Sequence, residues 1–219
     1  MIQIIDCEQG TADWFAARMG IPTASEFATV MAQGKGGGLS LIRAKYLRTL
    51  AAEIIRGTPE EETYTNAHME RGKAQEDDAR RLYAFLNDVD PHQVGFIRNG
   101  NVGCSPDSLI GDDGGLEIKS ALGHIQIERL QRNTLPPEHK AQVQGSLWVT
   151  GRAWWDFMSY SPGLPELIIR VEPEPDYIAK LAEAVGAFNV ELTQLVNSIR
   201  AYGNIDHQRN QFRAAVEAA

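Results

Sequence analysis

The segment between Val94 and Lys119 constrains the fold most strongly, because the helical spacing of the residues before it gives way to short apolar runs. These runs are separated by stretches rich in Asn, Asp and Gly, the residues that tight turns require. In chain order, runs and turns occupy 94–98, 99–101, 102–110, 111–115 and 116–119. The pattern predicts three consecutive strands joined by two tight turns.

Helical patterns lie on both sides of these strands. Their predicted bounds, set by capping residues and by glycine or proline stops, are Thr23 to about Ala32, Ser40 to Ile55, about Asn66 to Leu86, Pro137 to Gly151 and about Asp176 to Tyr202. Two further strands are predicted at 154–160 and 167–171. This order of elements indicates an α/β fold in which helices cover both faces of a small mixed sheet.

The 219 residues are enough for a single domain with a sizeable core. We divide it into a helical part (about 14–90), a sheet with its helix (about 92–171), a C-terminal helix (about 176–202) and a loose polar tail (203–219). No apolar run reaches the ~18 residues of a membrane-spanning helix, and the first residues lack the pattern of a secretion signal. With only two cysteines, the composition predicts a cytoplasmic protein with free thiols.

The net charge of −8 is distributed unevenly along the chain. The stretch from Trp14 to Gly57 has six cations and two anions, so it carries +4 and leaves −12 for the remainder. A local basic track on an otherwise acidic surface suits a protein that moves along DNA. A solvated basic helix explains the same charges, and charge alone leaves both interpretations open.

Asp107, Glu117 and Lys119 are the strongest candidates for chemistry. Glu117 and Lys119 lie two residues apart in one predicted strand, so their side chains point the same way. The turn at 111–115 folds the neighbouring strand back and brings Asp107 towards them. Two carboxylates and a backbone carbonyl, which we assign to Ile118, are hard oxygen ligands of the kind that Mg²⁺ prefers. The alternative is a solvent-facing Glu–Lys pair beside a turn aspartate, but the apolar neighbours of these charges favour a functional site.

Glu76 and Gln142 are weaker candidates, each with a structural alternative. Glu76 lies in the helix before the sheet, where it could supply another carboxylate or pair with Arg80 at i+4. Spacing alone favours the ion pair. Gln142, in the helix after the sheet, could hold a phosphate or a water molecule, or simply occupy a polar helix face.

Arg18 and the short predicted helix after it form a possible phosphate receptor. Thr23 and Glu26 have the spacing of a capping box, and Ser25 falls within the first helical turn. The N–H groups and dipole of a helix N-terminus attract anions. A helix cap with no ligand is the competing interpretation.

Five blocks of this sequence resemble the phage lambda exonuclease type of alkaline exonuclease, a branch of the PD-(D/E)xK nucleases. They occur in the family's order within 14–171, at 14–26, 72–80, 104–109, 115–119 and 141–149. The resemblance implies a restriction-endonuclease-like core and an enzyme that degrades one strand of duplex DNA from a free 5′ end. Such enzymes release 5′-mononucleotides and leave a 3′ overhang for recombination.

The resemblance also implies partners and a setting. Enzymes of this type form a homotrimeric ring through which double-stranded DNA is threaded. They hand the single strand to an annealing protein. The expected source is a phage or prophage, and the expected location is the cytoplasm of its bacterial host.

By position, the resemblance assigns a role to each candidate. Asp107 and Glu117 fall on the metal ligands, Lys119 on the catalytic lysine and Gln142 on the active-site glutamine. Glu76 falls on a further acidic residue near the metals, which reverses the preference from spacing.

The DNA-contacting positions follow in the same way. Arg18 and Ser25 fall on the pocket for the 5′-phosphate, with Thr23 beside them. Lys35, in a glycine-rich loop, falls near a basic position that contacts DNA. Met69 falls where an apolar wedge could separate the terminal base pair.

These assignments predict hydrolysis with two Mg²⁺ ions, for which Mn²⁺ could substitute. One ion would be held by Asp107, Glu117 and the Ile118 carbonyl, and the second shared by Asp107 and the substrate. Glu76 would act through water or orient Lys119. The alternatives are an endonuclease or repair nuclease with the same core, and a non-catalytic DNA-binding recombination scaffold.

Overall fold

The computed structural model describes residues 1–34, 40–60 and 67–217, without the side chains at 67–74, 203–209, 212–215 and 217. In chain order its elements are β1 (Ile2–Ile5), α1 (Ala12–Arg18), a 3₁₀ turn (Ala24–Glu26), α2 (Phe27–Met31), α3 (Leu41–Arg56), α4 (Ala67–Asn87), β2 (Pro91–His92), β3 (Phe96–Asn99), β4 (Val102–Cys104), β5 (Ser108–Ile110), β6 (Gly114–Ser120), α5 (Gly123–Arg132), α6 (Pro137–Thr150), β7 (Trp154–Tyr160), β8 (Leu167–Val171) and α7 (Pro175–Glu217). In this part of the chain, every helix is too short or too polar to cross a membrane.

The described strands form two sheets. One has the order β1-β3-β4, and the other has the order β2-β5-β6-β7-β8. In the five-stranded sheet, β6 and β7 are parallel and the other neighbours are antiparallel. Helices α5 and α6 lie between β6 and β7 in the chain and supply the long connection that parallel strands need.

The single strand predicted at 102–110 is wrong, because the structure divides it between the two sheets. β4 ends at Cys104 and β5 begins at Ser108, with Ser105-Pro106-Asp107 between them. Pro106 has no N–H for a strand ladder, and its carbonyl instead accepts a hydrogen bond of 2.8 Å from the Gln9 side chain. The predicted meander is therefore a junction between two sheets.

Helices α4 and α6 cover opposite faces of the five-stranded sheet. One core cluster joins Ala79 and Tyr83 of α4 to Leu116, Ile118 and Met158. The other core cluster includes Val143 and Leu147 of α6 with Trp155 and Phe157. Because side chains alternate along a strand, Glu117 and Lys119 lie on the α6 face. The predicted class, a mixed sheet with helices on both faces, is confirmed.

The ends of the central helices match their sequence signals. The Ser40 hydroxyl accepts a hydrogen bond from the backbone N–H of Arg43, and α3 ends at Gly57 with φ +70°. Helix α6 has Pro137 at its start and ends at Gly151 with φ +68°. A positive φ costs glycine little, which explains both stops. Cys7 and Cys104 are free thiols, as predicted.

Four elements of the structure lack a counterpart in the sequence predictions, and one is longer than predicted. The unpredicted elements are β1, α1, β2 and α5, and each is too short to show many repeats of a hydrophobic period. Helix α7 continues past Gly203 to Glu217, where we predicted a loose tail. Residues 204–217 contain no proline and several Ala, Gln, Arg and Glu residues, which favour a helix.

Candidate active site

The pairing of β5 with β6 brings the two acidic residues together. Ser108 pairs with Leu116 across the strands, so Asp107 comes to the edge of β6. Its Oδ2 accepts a 2.5 Å hydrogen bond from the backbone N–H of Ile118. The Asp107 carboxylate therefore lies beside the peptide that joins Glu117 to Ile118.

Glu117 is the centre of this cluster and is only 2% exposed. Its Oε1 accepts hydrogen bonds from Lys119 Nζ at 2.5 Å and from Gln142 Nε2 at 2.6 Å. Lys119 follows two residues later on the same strand face, and Gln142 reaches across from α6. The structure thus places four predicted site residues, from the segment before β5, from β6 and from α6, in one group around the buried Glu117.

The charges of this group perturb one another. Burial raises the pKa of Asp107 well above its usual range, and the Glu117 carboxylate adds to the effect. Burial opposes the charge on Lys119, but Glu117 and Asp107 outweigh it, so the pKa of Lys119 is raised and its ammonium is retained. The site therefore combines a crowded pair of carboxylates with a fixed cation.

Glu76, on α4, lies close enough to Glu117 and Asp107 for its charge to interact with theirs. Burial raises the pKa of its carboxyl group, against the opposing effect of Arg80, and the charge of Glu117 adds to the rise. Glu76 also forms an ion pair with Arg80. The two interpretations offered by the sequence are thus compatible, because Glu76 pairs with Arg80 and still contributes negative charge to Asp107 and Glu117.

The chemistry of these donors fits a hard divalent cation. Among the described residues, no three Asp, Glu, His or Cys side chains converge as a metal-binding group. Asp107 and Glu117 can therefore supply two ligands, and further ligands would come from the adjacent backbone carbonyl of Ile118, from water or from substrate. Burial is the main cause of the raised pKa values of Asp107 and Glu76, and the repulsion from Glu117 that adds to them is what a divalent cation would relieve.

Arg80 is a site residue that sequence reasoning missed as a functional group. Its side chain is buried, and its Nε donates to Ser108 Oγ at 3.0 Å. The same guanidinium contacts Asp77, Glu76 and, at 3.5 Å, the backbone carbonyl of Asp107. The available signal was its position beside Ala79 on the apolar face of α4, where an arginine requires polar partners.

Arg18, Thr23 and Ser25, which we call the end cluster, also come together. Arg18 donates to Thr23 Oγ1 at 3.3 Å, and Thr23 Oγ1 shares a 3.1 Å hydrogen bond with Ser25 Oγ. The predicted capping box is wrong, because the Thr23 side chain makes no cap and the helix is a 3₁₀ turn followed by the five residues of α2. Any anion site here would depend on side chains rather than on a helix N-terminus.

The end cluster is attached to the strand that leads into Asp107. Thr23 forms a parallel bridge with Gly103 of β4, and Gly103 N donates to the Pro22 carbonyl at 3.2 Å. Asp107 follows Gly103 by four residues. The backbone therefore joins the end cluster to the acidic site.

The remaining DNA-contacting candidates are only partly placed. Lys35 and the side chain of Met69 lie outside the described residues. In the basic stretch, Arg43 is held by Glu191 at 2.8 Å, whereas Lys45 and Arg48 are exposed. The basic track available on α3 is thus narrower than its charge implies.

A mixed sheet flanked by helices, with an aspartate before one strand and Glu-x-Lys in the next, defines a restriction-endonuclease-like core. The comparisons with known proteins identify its branch. The chain belongs to the YqaJ-like viral recombinase family, whose domain model matches residues 13–153. No curated protein matches the chain.

Solved structures agree with this family. An alkaline exonuclease from Laribacter hongkongensis, LHK-Exo, is 33% identical, with a TM-score of 0.80 over 89% of this chain and 98% of that one. Its complex with dAMP superposes with a TM-score of 0.81. A phage-related exonuclease from Haemophilus somnus 129PT shares the fold at 13% identity, with a TM-score of 0.63 over 82% of this chain and 96% of that one. The resemblance to lambda-type alkaline exonucleases is confirmed at the level of family.

Proposed function

We propose that this protein is a Mg²⁺-dependent 5′→3′ exonuclease that degrades one strand of linear double-stranded DNA to 5′-mononucleotides. It leaves a 3′ single-stranded overhang for recombination by strand annealing. One observation carries the proposal: Asp107, Lys119 and Gln142 meet around the buried Glu117 in a chain 33% identical to an alkaline exonuclease.

Asp107, Glu117 and the Ile118 carbonyl would hold one Mg²⁺ ion, and Asp107 would share a second with the substrate. Glu76 would act through water or by orienting Lys119. When bound, Mg²⁺ or Mn²⁺ lowers the pKa of a water molecule and stabilises charge on the phosphate. The oxygen-only donors of this site favour such hard cations over softer metals.

Lys119 and Gln142 have separate tasks in this proposal. Lys119 keeps its ammonium charge at the site, where it offsets negative charge that develops on the scissile phosphate. Gln142 donates to the same Glu117 oxygen as Lys119 does. Gln142 therefore fixes the rotamer of Glu117 and leaves its second oxygen for a ligand.

The end cluster would receive the 5′-phosphate. The Arg18 guanidinium presents several N–H donors to phosphate oxygens, and the hydroxyls of Thr23 and Ser25 lie beside it. Its attachment to β4 supports a fixed distance between the bound 5′ end and the cut. The crystal structure of LHK-Exo with dAMP supports a mononucleotide as the product.

The assembly proposed is a homotrimeric ring around DNA, with a single-strand annealing protein as partner. A phage or prophage origin and the cytoplasm of a bacterial host accompany this proposal. A net charge of −8 gives one chain little general attraction for DNA, which favours enclosure of the duplex. Sedimentation should give three times the 24.2 kDa of one chain.

The test uses linear duplex DNA with a 5′-phosphate, the same duplex with a 5′-hydroxyl, and closed circular duplex, each with Mg²⁺ and with EDTA. We expect Mg²⁺-dependent release of mononucleotides, fastest from the phosphorylated linear duplex. Cutting of the closed circle would replace the exonuclease with an endonuclease. DNA binding with no cutting would indicate a recombination scaffold.

Lys119→Ala is the matched variant for this test. We expect it to lower the rate of hydrolysis by roughly 10²–10³-fold, since it removes one group that stabilises developing charge. Lys140→Ala is the control, because Lys140 pairs with Glu174 on the surface of α6. If Lys119→Ala cut DNA as fast as the wild type, the role proposed for Lys119 would be wrong.

A further inference from the structure

Trp14 contacts both the end cluster and the segment before Asp107. It lies on α1, one helical turn before Arg18. The Arg18 guanidinium carbon is 3.9 Å from the centroid of the Trp14 ring. This separation is typical of a cation–π contact, which holds a guanidinium flat against an aromatic face.

The ring nitrogen of the same indole binds the segment that precedes Asp107. Trp14 Nε1 donates to Ser105 Oγ at 2.9 Å and is 3.2 Å from the Gly95 carbonyl. Ser105 precedes Asp107 by two residues, and between them the Pro106 carbonyl accepts from Gln9. The segment that carries Asp107 is thus held by side chains from the N-terminal part of the chain rather than by a strand ladder.

This arrangement makes one rigid side chain a spacer. A tryptophan side chain has only two rotatable bonds. Because its ring face contacts Arg18 and its Nε1 binds Ser105, the ring holds these two residues in a fixed relative position. The ring face holds Arg18, which would bind the terminal phosphate, and Nε1 holds the segment before Asp107. In the proposed function, this spacing would set the distance between the bound 5′ end and the bond that is cut.

We propose that Trp14 is a positioning residue that sets the register of cleavage, by holding Arg18 and the Ser105-Pro106 segment at a fixed distance. The inference rests on the proposed function and adds a specific determinant of where the first cut falls. Its chemical partner is a 5′-phosphorylated DNA end. Trp14 is assigned no contact with the reacting groups and acts through Arg18 and Ser105.

The test compares Trp14→Phe with Trp154→Phe. Phenylalanine keeps an aromatic face but has no N–H for Ser105. Trp154 is the control, because it also stacks on an arginine, with Arg170 Cζ 3.8 Å from its centroid, and lies on β7 away from the end cluster. Ser105→Ala is the second variant, which removes the same hydrogen bond and leaves the indole in place.

Two readouts separate positioning from a general structural role. The first is the length of the product released by the first cut from a 5′-phosphorylated duplex. The second is the ratio of affinities for duplexes with a 5′-phosphate and with a 5′-hydroxyl, measured in EDTA. For Trp14→Phe we expect dinucleotides beside mononucleotides and a fall in the affinity ratio of about tenfold, the weight of one charge-assisted contact. Ser105→Ala should change the product length and the affinity ratio in the same direction, and Trp154→Phe should change neither of these readouts.

The outcomes decide the two proposals separately. Unchanged product length and affinity ratio in both Trp14→Phe and Ser105→Ala would overturn the positioning role, whatever happens to their thermal stability. If Trp14→Phe fails to fold, Ser105→Ala alone decides. Absence of hydrolysis by the wild type would overturn the nuclease and, with it, the cleavage register assigned to Trp14, whereas hydrolysis with unchanged variants would overturn the register alone. A wild type that binds both ends equally would overturn that role together with the end-recognition proposal.

Discussion

Two buried carboxylates on adjacent strands of the same sheet have opposite surroundings. Glu117 of β6 faces α6, whereas Asp156 of β7 faces α4 and is 1% exposed. Asp156 receives two hydrogen bonds of 2.9 Å from Arg170 and one of 2.7 Å from the Tyr83 hydroxyl. These three side-chain hydrogen bonds tie α4 and β8 to β7, and the Arg170 guanidinium balances the charge of Asp156.

The Glu117 region contains more negative charge than its partners balance. Asp107 and Glu76 join Glu117 there, and the pKa values of both are raised by burial and by the charge of Glu117. A fold gains nothing in stability from such crowding. The comparison teaches that burial of a charge does not identify a functional site, whereas an excess of buried carboxylates does.

The largest expected effect is on catalysis, from Asp107→Asn. We expect the rate of the proposed Mg²⁺-dependent hydrolysis to fall by at least about 10³-fold, because a proposed metal ligand and its charge are lost. The free energy of unfolding in EDTA should stay equal or rise, because the amide removes a charge that Glu117 repels. Kinetics on phosphorylated duplex and urea unfolding measure the two quantities. If Asp107→Asn lost both activity and stability, the region around Glu117 would not differ from the Asp156 cluster in its effect on stability.

Asp156→Asn should have the opposite result. We expect a loss of about 2–3 kcal/mol in the free energy of unfolding, because Arg170 loses its partner and Tyr83 a charged acceptor. Hydrolysis per folded molecule should change by less than about threefold, because the side chains of Asp156 and Glu117 lie on opposite faces of the sheet and bind different partners. An Asp156→Asn protein as stable as the wild type would show that this cluster does not tie the helix to the sheet.

Binding of a divalent cation should raise the stability of the folded protein through Glu117 and not through Asp156. At a Mg²⁺ concentration 100 times the dissociation constant, binding to the folded state adds about 2.7 kcal/mol. We expect a corresponding rise in the melting temperature of the wild type and of Asp156→Asn, and none in Glu117→Gln. Scanning calorimetry with Mg²⁺, with Ca²⁺ and with EDTA measures this. An equal rise in the melting temperature of Glu117→Gln would show that the cation binds at a site that does not include Glu117.

His139 provides the smallest expected effect, on the side of the sheet that carries Glu117. It stacks on Phe157 with ring centroids 5.0 Å apart. Burial and the charges of Lys119 and Arg129 lower its pKa to about 4. Since the unfolded chain has the ordinary higher pKa, it takes up the proton first as the pH falls, and the folded state loses stability between about pH 6.5 and 4.

Urea unfolding at pH 7 and pH 5 tests this dependence. We expect the wild type to lose about 1 kcal/mol more than His139→Gln does, after a discount for the partial exposure of the ring. His92 is exposed, so His92→Gln is the control and should behave as the wild type. Equal losses in the wild type and His139→Gln would show that His139 is not held neutral.

Local signals in the sequence were sufficient for the bounds of α3 and α6. Ser40, Gly57 and Gly151 have the predicted capping or stop conformations, because caps depend on neighbouring residues only. The grouping of Glu117 with Lys119 follows from strand alternation. These features need no knowledge of distant contacts.

Features that depend on distant contacts escaped prediction from local patterns. The division between β4 and β5 depends on Gln9 and Trp14, which bind Ser105 and Pro106 from about ninety residues away in the chain. Thr23 bonds with Arg18 and Ser25 instead of capping a helix. The burial of Arg80 depends on Ser108 and Asp107. In each case, a tertiary partner outweighed the local preference.

The break at Ser105-Pro106 also affects how the chain acquires its activity during synthesis. The contacts that hold this segment close loops of 91 residues (Trp14 to Ser105) and 97 residues (Gln9 to Pro106). Closing long loops costs chain entropy and is slow compared with helix formation. A growing chain therefore has no ordered Asp107 until both ends of these loops have left the ribosome and docked. The proposed hydrolytic activity would consequently arise only in chains whose folding is well advanced.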